Sequence, residues 1–235
     1  MLLLLDIDGT LVIGASSEHR QALVEGLSEA LSVEIPDRVV DEVDYAGRTD
    51  IAIARSLLVA AGHPSGLLDR MLGTVMEAAC ARYDALVPDD LSDTLVPGVA
   101  RALEQLADEG HTLALVTGNL APIAQMKLGA AGIGHFFAPG LGGFGSDDED
   151  RAALPGLARL RASGPSGEPH AREDTLVVGD TPLDIACARA DGVRAAAVMT
   201  GSYDRMALRE ADVVLGSVVE LPDAAFRLAR TTAYG

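Results

Sequence analysis

The sequence predicts an α/β fold in which helices cover both faces of a mostly parallel sheet, with a block of helices inserted behind the first strand. Three observations carry that expectation. The chain opens on Leu2, Leu3, Leu4 and Leu5, an unbroken apolar run that suits a strand buried on both faces better than one with a wet side. Short apolar runs return at residues 112–117 (TLALVT), 175–179 (TLVVG), 194–199 (RAAAVM) and 212–215 (DVVL), with helical patterns between them. Residues 15–93 break this alternation, being rich in helix formers and lacking a convincing buried strand.

Taken in order, residues 22–31, 51–61 and 67–83 read as amphipathic helices. An insertion after the carboxyl end of a strand sits over the ligand-binding edge, so residues 15–93 are expected to form a helical cap, with 1–14 and 94–235 making the α/β core. Within that core Val99, Leu103 and Leu106 share one helix face, and Ile123, Met126, Leu128 and Ala131 mark another. Pro97 and Pro122 near the starts, and Gly110 and Gly132 near the ends, agree with helix punctuation. Residues 140–150 (GLGGFGSDDED) read as a Gly-rich and then acidic loop, and 163–174 (SGPSGEPHARED) as a polar connector.

With 49% apolar residues the 235-residue chain can bury a sizeable core, but 3% aromatics and no Trp leave Ala, Val, Leu and Ile to build it. A formal charge of -17 offers no broad basic surface to nucleic acid or an anionic membrane, so neither is expected as a partner. An anionic ligand would have to be met locally, by a small positive pocket or a bound cation. Cys80 and Cys187 match no metal-ligand spacing and read as plain buried thiols. The start MLLLLD lacks a basic leader and a long apolar span, which makes the cytoplasm the expected compartment.

Polar residues gather at three strand ends: Asp6 and Asp8 after LLLL, Thr117, Gly118 and Asn119 after LALV, and Asp180 with Asp184 after LVV. In a parallel sheet those ends share one edge, where ligands bind. Two carboxylates brought together repel unless a cation or a proton is shared, so DIDGT suggests a metal site. Oxygen ligands favour Mg²⁺ over zinc. A carboxylate beside such a cation can attack phosphorus while a second carboxylate handles a proton, and the amides of Gly118 and Asn119 suit phosphate oxygens. The chain has no GxSxG elbow, no GxxxxGK[ST] loop and no well-placed GxGxxG.

DIDGT, VTGN and GDTPLD, in that order and with a helical insertion after the first, resemble the haloacid dehalogenase superfamily in its phosphoglycolate phosphatase-like branch. The resemblance implies a Rossmann-like core with a helical cap, and a Mg²⁺-dependent phosphatase acting on a small phosphorylated metabolite. It implies that Asp6 is the nucleophile and Asp8 the general acid and base. Asp6, the Asp8 carbonyl and Asp180 would hold Mg²⁺, with Asp184 in support, and Thr117 would bind the transferring phosphoryl group. The Lys expected before the helix preceding the last motif is missing. Arg151 occupies its place in the order of elements; Lys127, in the helix after VTGN, is the alternative. GRTD resembles a cap segment, so Arg48 is a candidate clamp for a carboxylate or second phosphate, against a plain helix start capped by Thr49 or Asp50.

His19, His63, His111, His135 and His170 show no metal spacing and read as surface residues, and Asp147 to Asp150 as a solvated acidic loop. A phosphosugar mutase of the beta-phosphoglucomutase type is the nearest competing reading, although Thr10 resembles the phosphatases. A catalytically retired phosphate-binding protein is a further one. A monomer or homodimer is expected.

Overall fold

The computed structural model describes residues 1–163 and 167–225. Six strands, β1 (Leu2–Leu5), β2 (Thr112–Thr117), β3 (Gly142–Phe144), β4 (Thr175–Gly179), β5 (Arg194–Val198) and β6 (Val213–Leu215), form one sheet in the order β3-β2-β1-β4-β5-β6. Every pairing is parallel. The leucine run thus lies at the centre, where both faces are covered, and its four side chains are fully buried.

Alternation along the strands sorts the core into two layers. Leu3 and Leu5 join Leu113, Leu115 and Val178 against α5 (Val99–Asp108) and α6 (Ala121–Ala130), where Leu103, Leu106 and Leu128 pack. Leu2 and Leu4 face the other way with Ala114, Val116 and Val177, against α7 (Leu154–Arg161) and α8 (Pro182–Asp191). A third apolar cluster belongs to α1 (Ser17–Leu31), α2 (Asp37–Glu42), α3 (Asp50–Ala60) and α4 (Gly66–Leu86), and takes in Leu120 and Ile123 at the start of α6. The helices after β1 therefore have a core of their own, which meets the rest of the chain at the start of α6 among other contacts.

Two local features depart from the sequence reading. Residues 142–144, assigned above to a loop, are the edge strand β3, in register with Leu115, Val116 and Thr117. Its small residues are required by crowding: a Cβ on Gly143 would run into the carbonyl of Leu154. Helix α2 is six residues long, too short for a readable period. Of the polar connector at 163–174, residues 164–166 lie outside the described residues, as do 226–235 of the core segment. Among the described residues no helix is long and apolar enough to cross a membrane.

Candidate active site

Leu5 is level with Leu115 of β2 and Val178 of β4, so the three strands finish together and their following residues meet on one edge. The Asp6 amide donates to the Val178 carbonyl at 2.9 Å, extending the ladder by one residue and fixing where its carboxylate emerges. The chain then turns through Gly9 at φ +82°, where a Cβ would collide with the Asp180 carboxylate. Above this edge lies a cavity of about 520 Å³, bounded below by Asp6, Asp8, Asn119 and Asp180 and above by Arg20, Tyr45 and Arg48 from the helical segment.

One side of the cavity floor is short of positive charge. Asp6, Asp180 and Asp184 offer carboxylate oxygens within 4.8 Å of one another, and all three residues are buried. Arg151 is the cation among them: its Nη2 pairs with Asp6 Oδ1 at 3.2 Å and with Asp184 Oδ1, while Nη1 donates to the Gly47 carbonyl at 3.0 Å. One guanidinium cannot balance three carboxylates. Burial, with the charges of Asp184 and Asp8, pushes the Asp6 carboxyl up to about 7 against the pull of Arg151. Burial and the charges of Asp6 and Asp184 push Asp180 up to about 8. Asp184 is fixed by a capping box at the start of α8, accepting from the Thr181 amide at 3.0 Å and hydroxyl at 2.7 Å.

The other side is balanced. Lys127 Nζ reaches both oxygens of Asp8 at 2.8 Å and Asn119 Oδ1 at 3.0 Å, and is fully buried. Asn119 Nδ2 returns a bond to Asp8 Oδ2 at 3.0 Å. Burial opposes ionisation of Asp8, but the charge and hydrogen bonds of Lys127 and the bond from Asn119 outweigh it, holding its carboxyl below the ordinary value. Behind Lys127 stand His19, 3.3 Å from Nζ through Nδ1, and Asp50, 3.0 Å from His19 Nε2.

The structure thus brings Asp6, Asp8, Asn119, Lys127, Arg151, Asp180 and Asp184 into one site, with Arg151 and Lys127 serving different carboxylates. Thr117 ends β2 fully buried, its Oγ1 accepting from the Asn119 amide at 3.3 Å; Gly118 and Asn119 line the cavity and Thr117 does not. The Gly118 carbonyl accepts from the Asp50 amide at 2.8 Å, and a Cβ on Gly118 would strike the carbonyl of Arg48, so glycine allows the start of α3 to touch the site.

One expectation needs correction. His19 is buried and paired rather than a surface histidine. Arg48 lines the cavity, but its guanidinium is engaged locally, with the carbonyls of Asp44 and Ala52 at 3.1 and 3.0 Å and Ser56 Oγ at 2.8 Å. The acidic loop is exposed at Asp147, Asp148 and Asp150, as expected, and partly paired: Glu149 takes a two-pronged bond from Arg55 at 2.7 Å, Asp147 pairs with Arg161, and Asp150 caps the turn at Arg151. His19 and Asp50 are the site residues that sequence reasoning missed. The signal for His19 was present, since it shares the stripe of Ala22, Leu23, Gly26 and Leu27 on the buried face of α1.

With this edge, this pair of charge clusters and this topology in view, residues 1–192 match the family model of the haloacid dehalogenase-like hydrolases. The chain belongs to that family and is a hydrolase. Among curated relatives, it is 32% identical over 206 residues to a phosphoglycolate phosphatase of Rhodospirillum rubrum, covering 85% of this chain and 79% of that one. It is 29% identical over 228 residues to the phosphoglycolate phosphatase of Pectobacterium atrosepticum, covering 92% and 88%. Among solved structures, a beta-phosphoglucomutase from Clostridium difficile superposes with a TM-score of 0.70 at 14% identity, over 99% of this chain and 98% of that one. A hydrolase from Pseudomonas syringae gives 0.65 at 20%, over 96% and 98%. At these identities the two structural likenesses are of fold alone.

Proposed function

We propose that this hydrolase is a Mg²⁺-dependent phosphatase that acts on a small phosphomonoester, phosphoglycolate-like or a sugar phosphate, through an aspartyl-phosphate on Asp6. The observation that carries the proposal is the uncompensated cluster of Asp6, Asp180 and Asp184 at the cavity floor, three oxygen donors served by a single guanidinium. Such a donor set suits Mg²⁺. The raised pKa values of Asp6 and Asp180 are those of carboxylates waiting for positive charge. Asp6 and Asp180 would hold the ion, with Asp184 beside them; when bound it neutralises charge on the transferring phosphoryl group.

The chain's own residues account for the rest. Asp6 attacks phosphorus as the bond to the leaving oxygen breaks, and Arg151, 3.2 Å from its Oδ1, is placed to meet the phosphoryl oxygens. The amides of Gly118 and Asn119 face the same cavity. Asp8, ionised beside Lys127, takes a proton from the water that hydrolyses the aspartyl-phosphate and gives that proton to the leaving oxygen of the next turnover, so that the two steps balance over the cycle. Residues 15–93 act as the cap that excludes bulk water and selects the substrate.

Release of inorganic phosphate from a panel of phosphomonoesters, with Mg²⁺ and with chelator, tests the activity. Asp6→Asn should abolish turnover while the circular dichroism spectrum is retained, and a phosphorylated Asp6 should be trapped by acid quench of the wild type. Turnover by Asp6→Asn in excess Mg²⁺ would refute the covalent route.

A further inference from the structure

Two residues with no place in the chemistry so far, His19 and Asp50, are buried at the wall of the cavity, His19 against Lys127. With Lys127 as the ammonium and His19 as the neutral imidazole, their bonding leaves one arrangement of protons. A lysine ammonium has donors and no acceptor, so at 3.3 Å His19 Nδ1 must offer Lys127 Nζ a lone pair. A carboxylate only accepts, so at 3.0 Å His19 Nε2 must carry the proton toward Asp50 Oδ2. Asp50 is held from both directions, its amide donating to the Gly118 carbonyl at 2.8 Å and its Oδ2 accepting from the Leu120 amide at 2.7 Å. It therefore fixes both the tautomer and the orientation of the imidazole, whose ring also packs edge-on against Tyr83 at 5.7 Å between centroids.

The consequence falls on Lys127. Its three protons are shared among Asp8, Asn119 Oδ1 and His19 Nδ1, in a place where water does not reach. Without the imidazole one proton has no acceptor, and Nζ must turn toward the remaining ones, carrying the Asp8 carboxylate with it. We propose that His19, oriented by Asp50, is a positioning residue for Asp8: by holding Lys127 Nζ it sets the direction from which Asp8 delivers its proton. The proposal rests on the reading of Asp8 as proton carrier. His19 stands on α1 and Asp50 at the start of α3, whereas Asp8, Asn119 and Lys127 belong to the sheet edge and α6. The placement of the proton donor therefore depends on the helical segment lying against the sheet.

Leaving groups separate this role from a structural one. An alkyl phosphate needs its leaving oxygen protonated; 4-nitrophenyl phosphate, with an acidic leaving phenol, needs little help. The measurement is kcat/KM for both substrates with Mg²⁺, in the wild type, His19→Leu, His19→Asn and Asp8→Asn. His19→Leu should lower kcat/KM for the alkyl phosphate roughly tenfold to a hundredfold more than for the aryl one, within the ~10²–10⁴ that a placed proton donor supplies. His19→Asn, which keeps an acceptor close to the position of Nδ1, should recover part of that selective loss and guards against a Leu variant that does not fold. Equal losses on both substrates in a folded His19 variant, or none, overturn the proposal. If Asp8→Asn itself shows no leaving-group dependence, the assignment of Asp8 has failed instead.

Discussion

Proton binding and Mg²⁺ binding should compete at the Asp6–Asp180–Asp184 cluster, and the competition is readable in stability. Moving the Asp6 carboxyl from 3.8 to about 7 means that the folded state prefers the protonated form. At ~1.36 kcal/mol per tenfold in proton affinity, the ionised folded state is penalised by about 4 kcal/mol. Asp180, raised to about 8, acts in the same direction, but each charge counts partly in the other's penalty, so the two do not add. The sign follows from linkage. A raised folded-state pKa contributes stability that is complete below the unfolded value of 3.8 and lost as pH rises through about 7 to 8. In chelator the melting temperature should therefore fall between pH 5 and pH 8. Mg²⁺ should return most of the loss, by little at pH 5, where protons hold the site, and by most at pH 8. At roughly 2–4 °C per kcal/mol for a chain of this size, the gap between the two curves should reach on the order of 5–10 °C. Differential scanning fluorimetry across buffers, with EDTA or millimolar Mg²⁺, measures it. Asp180→Asn supplies the control: it should melt higher than wild type in chelator at pH 8 and lose the Mg²⁺ response. A Mg²⁺ shift of equal size at pH 5 and pH 8, or an Asp180→Asn protein less stable than wild type in chelator at pH 8, would refute the reasoning.

Other parts of the structure make separate demands. Gly9→Ala should fold but lose Mg²⁺ affinity and turnover together, because the new Cβ displaces Asp180; titration calorimetry with Mg²⁺ checks this. Arg159 makes a two-pronged, part-buried pair with Asp191 at 2.6 and 2.9 Å and also donates to the His170 carbonyl at 2.6 Å, so Asp191→Ala, which leaves the guanidinium with that one acceptor, should cost about 1–3 kcal/mol in urea unfolding. The Arg55 bond to Glu149 is partly exposed and joins α3 to the loop before Arg151, so a double-mutant cycle should return a coupling of only about 1 kcal/mol or less.

What the sequence disclosed follows from how each residue type reports its surroundings. Leu2 to Leu5 announced a central strand because burial on both faces removes the alternation that an exposed face imposes. Asp6, Asp8, Asp180 and Asp184 were legible as a group: a lone carboxylate after a strand can be a mere cap, as Asp184 also is for α8, but register brings these strand ends to one edge. Strand β3 was hidden because two of its three residues are glycines, whose value lies in the absence of a side chain where Leu115 and Leu154 press in. Arg48 lines the cavity, while its guanidinium lies along α3 on the Ala52 carbonyl and Ser56 Oγ, a local engagement that the sequence does not disclose. Lys127 and His19 were harder still. Each lies on the buried face of its helix, among Ile123, Ala124 and Leu128 or among Ala22, Leu23 and Leu27, where a polar residue breaks the pattern and is easily read as an irregularity. A titratable residue on an apolar stripe was the available signal, and its partners come from distant parts of the chain.

Arg151 and Lys127 entered the sequence reading as alternatives for one role, and the geometry pairs them with different carboxylates. Arg151 lies between Asp6, the proposed nucleophile, and Asp184, where the proposed transfer would gather negative charge. Lys127 lies behind Asp8, enclosed by Asn119 and His19, and does not border the cavity. Removing each should therefore damage a different step. Arg151→Met takes away a cation facing the phosphoryl oxygens, so competitive inhibition by inorganic phosphate should weaken, and aryl and alkyl phosphates should suffer alike. Lys127→Met leaves that contact in place, so phosphate inhibition should hold while kcat/KM falls chiefly for alkyl phosphates, whose leaving oxygen depends on Asp8. The reverse pattern, with phosphate affinity lost in Lys127→Met and preserved in Arg151→Met, would return the phosphate-binding role to the lysine and leave Arg151 a structural tie between Asp184 and Gly47.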